Sequence, residues 1–299
     1  MLVAWGEILW DLFPSGPLLG GAPANLAYHL AVIGAEVALV SRVGADEPGR
    51  EALERLGAAG VDVSAVQRDA GRPTGSVRVD VEGGEARYSL NRGGAWEYIE
   101  LDAAARALIA RSRAICFGSL AQRRPGARAA LTAALAARPP GCLAVCDLNL
   151  RRGEQDSDLV RWALEQADLL KINEREERQI AALFGVRDPV AWLLGELGAA
   201  QVALTRGAAG CSIIDRSGAR VDQPGVPAAP GGDTVGCGDA FTAVWVHLHL
   251  AGAPPARIAE AACRYATFVA SRPGATPAVP AEVAAAVAAA AAGRSADGL

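Results

Sequence analysis

The sequence of 299 residues predicts one α/β domain, in which helices cover both faces of a mainly parallel central sheet. Apolar runs such as LAVCDLNLR and QVALT alternate along the chain with amphipathic, helix-like runs. Strands that are apolar on both sides are typical of the interior of a parallel sheet. One hairpin-like stretch interrupts the alternation and predicts a small β-strand lid inserted into this single domain of residues 1–299.

The first strand, LVAW, is followed by acidic residues at its carboxyl end. In an open α/β sheet this end of a strand faces the crevice that binds ligands, so Asp11 is a candidate site residue. A surface loop acid is the alternative. A Gly20-Gly21 turn then leads into a helix that carries Asn25. The two glycines allow a ligand to approach the backbone, and the Asn25 amide can hydrogen-bond a hydroxyl or simply cap the helix.

The hairpin-like stretch covers residues 76–90, where apolar residues occupy every second position on both sides of a Gly-Gly turn. This pattern predicts two antiparallel strands with one apolar face. Such a face must cover either the site or a second subunit, so we expect a lid over about 9–20 and 74–96 that is also a candidate homodimer surface. Arg92, beside the hairpin, is either solvated or a contact for substrate or phosphate.

Polar residues follow the later strands at their carboxyl ends. Asp147, Asn149 and Arg151 are spaced by two, so in an extended chain they share one face, where an open sheet places ligand contacts. At the next strand-to-helix junction, Asn173 and Glu176 stand three apart. They suit a metal-bound water or a phosphate, although a capping pair explains them nearly as well.

The last third of the chain holds a tight turn between two strands and an alanine-rich helix. Thr205, Gly207 and Gly210 form the turn, which is narrow enough for a nucleotide to approach its backbone. The alanine-rich run predicts a terminal helix, and residues 294–299 are expected to fray.

The stretch GGDTVGCGDAF is the strongest candidate for chemistry. Gly236 and Gly238 let the backbone turn tightly, so the amides of Gly236, Cys237 and Gly238 can converge at a helix start, where negative charge is stabilised. Asp239 lies in the first turn of that helix, where its carboxylate would repel a phosphate. It is therefore either a functional carboxylate or an ordinary capping acid, and the stretch alone leaves both interpretations open.

Composition narrows the class of partner. Hydrophobic residues make up 51% and charged residues 21%, and the net charge is −4 without a basic run. These values exclude a nucleic-acid or polybasic membrane surface and favour a small-molecule partner. Early acids and the lack of a long apolar segment predict a cytoplasmic protein. Lys171 follows no glycine-rich loop and no GxGxxG occurs, so neither a P-loop nor a dinucleotide fingerprint is present.

Two segments, GGAPANLAYHLAVIGAEVALVSRVGADEPGRE and DTVGCGDAFTA, resemble the paired signatures of the ribokinase-like (PfkB) carbohydrate kinases. GEILWDLFP, DLNLR, NEREE and TRGAAG are similar to further family motifs, so the resemblance covers nearly the whole chain and is closest to bacterial fructokinases. It implies a ribokinase-like three-layer α/β/α domain that uses ATP and Mg²⁺ to phosphorylate a sugar hydroxyl, most simply D-fructose to fructose 6-phosphate. Kinases of 2-keto-3-deoxygluconate, ribose or a nucleoside, and a non-catalytic sugar-binding regulator, are the alternatives.

The resemblance also implies a role for each candidate residue. Asp239 would be the base that accepts the hydroxyl proton, and the amides of Gly236, Cys237 and Gly238 would stabilise the charge on the phosphoryl group. The sugar would contact Asp11, Gly20, Gly21, Asn25 and Arg92, with Gln122 contributing to specificity. The nucleotide would contact Arg151, Asn173, Glu176, Thr205, Gly207, Gly210 and Gly238, with Glu176 reaching Mg²⁺ through water.

Ala278 and Cys237 depart from the family pattern, the first in a cation site and the second in the glycine-rich turn. Many family members bind a monovalent cation, usually K⁺; Asp233, Val235 and the Gly274 carbonyl match part of that site, whereas Ala278 replaces a hydroxyl residue. Activation by K⁺ is therefore a hypothesis. Cys237 stands where alanine is common, and a helix start is expected to lower a thiol's pKa. A reactive, ATP-protected thiol is one hypothesis, and a small residue that merely fits is the other.

Overall fold

The computed structural model describes residues 1–14, 16–82, 85–150 and 156–293. Its centre is a nine-stranded sheet with the strands β1 Leu2–Trp5, β4 Val37–Gly44, β5 Val66–Asp69, β8 Ala114–Phe117, β9 Leu143–Asp147, β10 Leu169–Asn173, β11 Gln201–Thr205, β12 Cys211–Asp215 and β13 Arg220–Gln223. The strand order is β13-β12-β11-β10-β9-β8-β1-β4-β5. Strands β5 to β11 in this order are parallel, and β12 is antiparallel to both neighbours. The mainly parallel sheet is confirmed.

Helices cover both faces of this sheet. One face carries α1 Ala22–Val32, α2 Glu47–Ala58, α8 Cys237–Leu250, α9 Pro255–Ala270 and α10 Ala281–Ala291. The other carries α3 Ala103–Ile109, α4 Pro125–Ala136, α5 Ser157–Glu165, α6 Glu174–Phe184 and α7 Pro189–Gly195. Because side chains alternate along a strand, β1 sends Leu2 and Ala4 into one core and Val3 and Trp5 into the other. The three-layer α/β/α prediction is confirmed.

A second, smaller sheet forms the predicted lid. Its strands are β2 Leu9–Phe13, β3 Gly16–Gly20, β6 Gly75–Glu82 and β7 Glu85–Leu90, in the order β3-β2-β6-β7. The antiparallel register pairs Val77 with Leu90, so these two apolar residues share one face as the sequence predicts. On that face Leu9 and Val77 are buried against Phe13 and Leu90. The Gly-Gly turn of the hairpin and the tail 294–299 lie outside the described residues.

Within the described ranges, every helix is too short or too polar to cross a membrane.

Candidate active site

Helix α8 begins at the glycine-rich turn. Gly236, the residue before the helix, has a left-handed backbone with φ 75°, and an added Cβ would lie 2.6 Å from the Ala275 Cα. Both the conformation and the space therefore require glycine. The Ala240 amide makes the first bond of the helix, 2.9 Å to the Gly236 carbonyl, and the Cys237 amide lies 3.4 Å from the Thr234 carbonyl. The amides before Ala240 precede this first helical bond, and amides at a helix start have no partner within the helix, which is compatible with the predicted anion cradle.

Asp239 is buried in the first turn of α8 and contacts another helix. The Asn25 Nδ2 of α1 donates a hydrogen bond of 2.8 Å to Asp239 Oδ2, across 214 residues of sequence. Both side chains are buried. Among the described residues, Asn25 Oδ1 has no hydrogen-bond partner. The candidate base and a candidate sugar residue therefore form one unit, with an amide oxygen left for a further donor.

The remaining lid-side candidates continue from this unit. Asp11 lies on β2, and an added Cβ on Gly20 would be 2.4 Å from Asp11 Oδ2. Gly21 has φ 105°, and its added Cβ would be 2.4 Å from the Glu7 carbonyl. The two glycines are thus required because the Asp11 carboxylate and the Glu7 backbone pack directly against them. Gly20 ends β3 against the Asp11 carboxylate, and Gly21 directly precedes α1, the helix that carries Asn25.

A cavity of about 290 Å³ adjoins this unit. It opens between lid strand β3, helices α1 and α2, and the loop 273–276, and Asn25, Leu18 and Gly274 are among its lining residues. The same loop contributes Ala275, which packs against Gly236. The lid and the start of α8 therefore both adjoin this cavity, the lid directly and α8 through the loop 273–276.

Gln122 and Arg92 differ in their surroundings. Gln122 is fully buried in the short 3₁₀ turn after β8, and neither of its amide atoms has a hydrogen-bond partner in the described part of the chain. A buried amide without partners is costly, which points to a ligand or water at this position. Arg92 is exposed beside the hairpin. Trp96, which packs against Gly75 and Gly94, has a buried indole N–H that also lacks a described partner.

The candidates at the start of α6 form a closed cap. The Asn173 side chain accepts hydrogen bonds from the Arg175 and Glu176 amides, each at 3.0 Å. Glu176 Oε2 accepts from the Asn173 amide at 2.9 Å, and Oε1 accepts from the Leu150 amide at 2.8 Å. The Glu176 side chain is fully buried, and burial raises its pKa. These contacts favour the capping interpretation, and the predicted approach to Mg²⁺ gains no contact that supports it.

The predicted nucleotide turn lies next to this cap. The sheet register pairs Asn173 with Thr205, so the carboxyl ends of β10 and β11 are adjacent. Gly207 and Gly210 have φ values of 53° and 95°, and an added Cβ on Gly210 would be 2.0 Å from the Gln223 carbonyl. The turn is therefore a tight backbone surface at the carboxyl edge of the sheet. Arg151, the remaining nucleotide candidate, lies outside the described residues.

The prediction that Asp147, Asn149 and Arg151 share one face of an extended strand is wrong for the two of them that the structure describes. Asp147 and Asn149 do not share the face of an extended strand, because β9 ends at Asp147 and Asn149 has a left-handed backbone with φ 44°. Asp147 instead accepts a hydrogen bond of 3.0 Å from Lys171 Nζ. Sequence reasoning assigned Lys171 no role. Its signal was that the chain's single lysine stands inside an apolar strand, LLKIN, where an unpaired charge is costly.

The candidate K⁺ residues lie together around one carboxylate. Asp233 Oδ1 accepts from the Val235 amide and Oδ2 from the Gly274 amide, both at 2.9 Å. The hydrogen bond from the Gly274 amide to Asp233 connects the loop 273–276 to the segment just before α8. The described residues contain no group of three or more His, Cys, Asp or Glu side chains that could hold a metal ion. The K⁺ hypothesis therefore depends on backbone carbonyls and gains no cluster of charged ligands.

The expected lowering of the Cys237 pKa is wrong. Burial, followed by the charges of Asp233 and Asp239, raises the pKa of this thiol to about 11. The two nearby carboxylates oppose the positive end of the helix, so the thiol stays protonated at neutral pH.

Comparisons with known proteins agree with this architecture. The family described as pfkB family carbohydrate kinase matches residues 18–282. The fructokinase of Escherichia coli is 30% identical over 250 residues, covering 80% of each chain, and the 2-dehydro-3-deoxygluconokinase of Thermoproteus tenax is 29% identical over 303 residues, covering 93% of this chain and 91% of that one. The crystal structure of an uncharacterized sugar kinase, PH1459 from Pyrococcus horikoshii in complex with ATP, superposes with a TM-score of 0.81 at 25% identity, covering 92% and 94%.

The fold and the matched profile together define a carbohydrate phosphotransferase. The chain belongs to the pfkB family of carbohydrate kinases, which confirms the resemblance seen in its motifs. It is a kinase that acts on a sugar hydroxyl, with ATP as the nucleotide.

Proposed function

We propose that this kinase is a fructokinase, which transfers the γ-phosphoryl group of ATP to D-fructose and forms fructose 6-phosphate. The observation that carries the proposal is the hydrogen bond between Asn25 and Asp239. It joins the lid-side candidates for sugar binding to the helix start that suits a phosphoryl group. The choice of fructose is supported by the similarity to the Escherichia coli fructokinase.

In the proposed mechanism the oxygen of the sugar hydroxyl bonds to the γ-phosphorus of ATP while the bond from that phosphorus to the β,γ-bridging oxygen breaks and ADP leaves. Asp239 accepts the proton of the hydroxyl. Asn25 holds the Asp239 carboxylate in place, and its free Oδ1 can accept a hydrogen bond from a second sugar hydroxyl. The amides of Gly236, Cys237 and Gly238 stabilise the charge that spreads over the phosphoryl oxygens. Mg²⁺, when bound with ATP, neutralises part of the phosphate charge. Positioned proton transfer contributes roughly 10²- to 10⁴-fold to a rate.

The nucleotide is proposed to lie along the carboxyl ends of β10 and β11. The tight turn at Thr205, Gly207 and Gly210 offers backbone close to this edge, and Asn173 is its register partner. In this proposal the cap formed by Asn173 and Glu176 stabilises the backbone next to the nucleotide and does not bind it. Its acceptor oxygens already accept hydrogen bonds from backbone amides.

A second candidate substrate is 2-keto-3-deoxygluconate. The Thermoproteus tenax relative is by name a kinase of this compound, which is also called 2-dehydro-3-deoxygluconate. It matches a larger share of both chains than the Escherichia coli fructokinase does. Gln122, whose buried amide lacks a described partner, is the side chain that we expect to contribute to the choice of sugar.

The test is an ADP-release assay with fructose, 2-keto-3-deoxygluconate, ribose and a nucleoside, run in potassium, sodium and choline salts. We expect the highest kcat/KM with fructose. A higher kcat/KM with another sugar would replace the substrate but keep the kinase, and no turnover with any sugar would contradict the proposal. Equal rates in the three salts would remove the K⁺ hypothesis.

We also propose that the lid provides a homodimer surface. Leu12 and Leu18 are the large exposed hydrophobic residues of the described chain, at 40% and 44% exposure. Leu18 is the register partner of Asp11 and lines the cavity beside Asn25, whereas Leu12 lies on the opposite face of the lid sheet. The surface that we propose for the dimer is therefore the Leu12 face. Light scattering should give twice the mass of the chain, and Leu12→Glu should give the monomer. A wild-type monomer at micromolar concentration would contradict this surface.

A further inference from the structure

A buried ion pair lies directly beneath the first turn of α8. Lys171 and Asp147 are register partners on the adjacent parallel strands β10 and β9, and Lys171 Nζ lies 3.0 Å from Asp147 Oδ1. The side chains are only 6% and 13% exposed. Burying a charge pair costs desolvation energy that its mutual attraction often fails to recover. A pair at this position therefore requires a reason other than stability.

The ammonium accounts for the glycine at position 238. Gly238 does not have a left-handed backbone, so its conformation does not require glycine. An added Cβ would instead lie 2.8 Å from Lys171 Nζ. Because Gly238 has no side chain, the Lys171 ammonium can lie directly against this turn. The amides of the same turn form the predicted cradle.

The partner carboxylate is held on both of its oxygens. Thr242, one turn further along α8, has a hydroxyl that lies 2.9 Å from Asp147 Oδ2 and 2.9 Å from the Gly238 carbonyl. Asp147 is thus fixed between β10 and α8, and it fixes the ammonium in turn. A long lysine side chain that would otherwise sample several rotamers is held in one position.

The electrostatic effect of this lysine opposes helix stability. Burial lowers the Lys171 pKa, but Asp147, Glu176 and Asp239 outweigh burial and raise it, so the ammonium stays charged. A positive charge at the positive end of a helix is unfavourable for the folded chain. The same charge is favourable once an anion occupies the helix start. Such a conflict with local stability is typical of functional positions.

We propose that Lys171 is a positioning residue for phosphoryl transfer, whose fixed positive charge beneath Gly238 strengthens the binding of developing phosphoryl charge by the start of α8. It acts through the cradle and the Asp147 pair and does not itself touch the substrates. The inference rests on the proposed function, because it requires the phosphoryl group to bind at the start of α8.

The single lysine allows a direct spectroscopic test. Protein labelled with [¹⁵Nζ]lysine gives one side-chain signal, which belongs to Lys171. We expect this signal to shift when MgADP, aluminium fluoride and fructose are added together, since the mimic places negative charge at the start of α8. MgADP alone should shift it less. A signal that stays in place with the full mixture would overturn the proposal.

A charge-removal cycle separates electrostatic from structural roles. Lys171→Met should lower kcat by about tenfold or more, less than the loss of a direct oxyanion donor, with KM values for sugar and ATP changed less than about threefold. The double variant Asp147→Asn/Lys171→Met removes both charges of the pair, so no carboxylate is left without its ammonium at position 147, and the variant is informative even where the single variant fails to fold. Its kcat should stay equally low. Recovery to near wild-type kcat would show that the pair is only structural.

The matched control breaks another ion pair of the same strand region. Arg138 lies 3.2 Å from Asp168, which directly precedes β10 at the opposite end of the sheet. Arg138→Met should keep kcat within about twofold, as is usual for ion pairs near the surface. Asp239→Asn separates the two hypotheses. If it abolishes turnover while the double variant keeps wild-type kcat, the Lys171 role is wrong and the proposed base stands; if both keep kcat, the proposed function is wrong as well.

Discussion

Two helices of this molecule start at the same edge of the sheet with an acid in the same position, yet their starts are built differently. Glu176 and Asp239 are each the third residue of their helix. At the start of α6, Glu176 bonds back to the Asn173 amide and completes a capping box. At the start of α8, the preceding residue is the left-handed Gly236, and Asp239 accepts its bond from α1.

The difference shows what the residue before the helix decides. Asn173 supplies an acceptor for the first amides of α6, and the extended Glu176 side chain reaches back to the backbone. Gly236 supplies no side chain, and the shorter Asp239 is engaged with Asn25. We therefore infer that α6 begins with a structural cap, whereas α8 begins with amides that remain available for an anion.

The largest effect short of the acid itself is expected from the glycine turn. Gly236→Ala should lower kcat by about tenfold or more and destabilise the fold by roughly 1–3 kcal/mol, because the added Cβ strains a left-handed residue and meets Ala275. Gly185→Ala is the matched control: it has φ 66° at the end of α6 and open space around it. It should lose stability but keep kcat. Equal losses of kcat would contradict a special role for the α8 turn.

His29, which contacts the loop residue that packs against Gly236, should make the stability of the fold depend on pH. His29 bonds the Ala275 carbonyl at 2.9 Å, and burial lowers its pKa to about 4, a shift that this carbonyl reduces. Unfolded histidine binds a proton near pH 6.5, so between pH 6.5 and 4 the unfolded chain binds more protons.

The free energy of unfolding should therefore decrease as the pH is lowered from 6.5 to 4, by about 3 kcal/mol for this one residue. Urea unfolding at pH 7.5, 5.5 and 4.5 measures the effect. His29→Asn should flatten the dependence of stability on pH more than His249→Asn does. Burial also lowers the pKa of His249, but that side chain is less completely buried. Equally steep profiles for wild type and His29→Asn would contradict the prediction.

A smaller effect is expected at the closed helix start. Asn173→Ala removes the acceptor for two amides and should cost about 1 kcal/mol of stability, with kcat changed less than about threefold. Asp156→Ala removes the similar cap of α5 and provides the control. Thermal unfolding and the ADP-release assay compare them. A large rise in the KM for MgATP with Asn173→Ala alone would assign this cap a direct role in nucleotide binding.

The smallest effect is expected at Cys237. Because its pKa is raised to about 11, iodoacetamide at pH 7.5 should leave most activity intact after an hour, and Cys237→Ala should keep kcat within about twofold. Rapid inactivation that Cys237→Ala prevents would restore the reactive-thiol hypothesis.

Local patterns predicted the parts of this structure that local physics determines. Two-residue alternation predicted the hairpin, whose register pairs Val77 with Leu90, and apolar strands predicted the parallel sheet. The motifs also selected Asn25 and Asp239, although no pattern in the sequence shows that their side chains meet. Whether Glu176 caps or binds a ligand depended on how far its side chain reaches, and the sequence left this open.

The parts that were missed depend on contacts between distant strands or on single backbone angles. Pairing of Lys171 with Asp147 requires β9 and β10 to be neighbours in register, which periodicity does not specify. The left-handed Asn149 breaks a pattern that looked extended. At Cys237 the helix start was considered without the burial of the thiol and without the two nearby carboxylates, which together raise its pKa, so the expected direction was wrong.

The most direct measurement of the central claim compares Asp239→Asn with Glu176→Gln, two matched changes from acid to amide at the third position of each helix. For Asp239→Asn we expect kcat to fall about 10²- to 10⁴-fold, with the free energy of unfolding changed by less than about 1 kcal/mol. For Glu176→Gln we expect a loss of about 1–3 kcal/mol of stability, because one backbone amide loses its acceptor, and kcat within about threefold. Wild-type kcat in Asp239→Asn, or the larger loss of kcat in Glu176→Gln, would contradict the account.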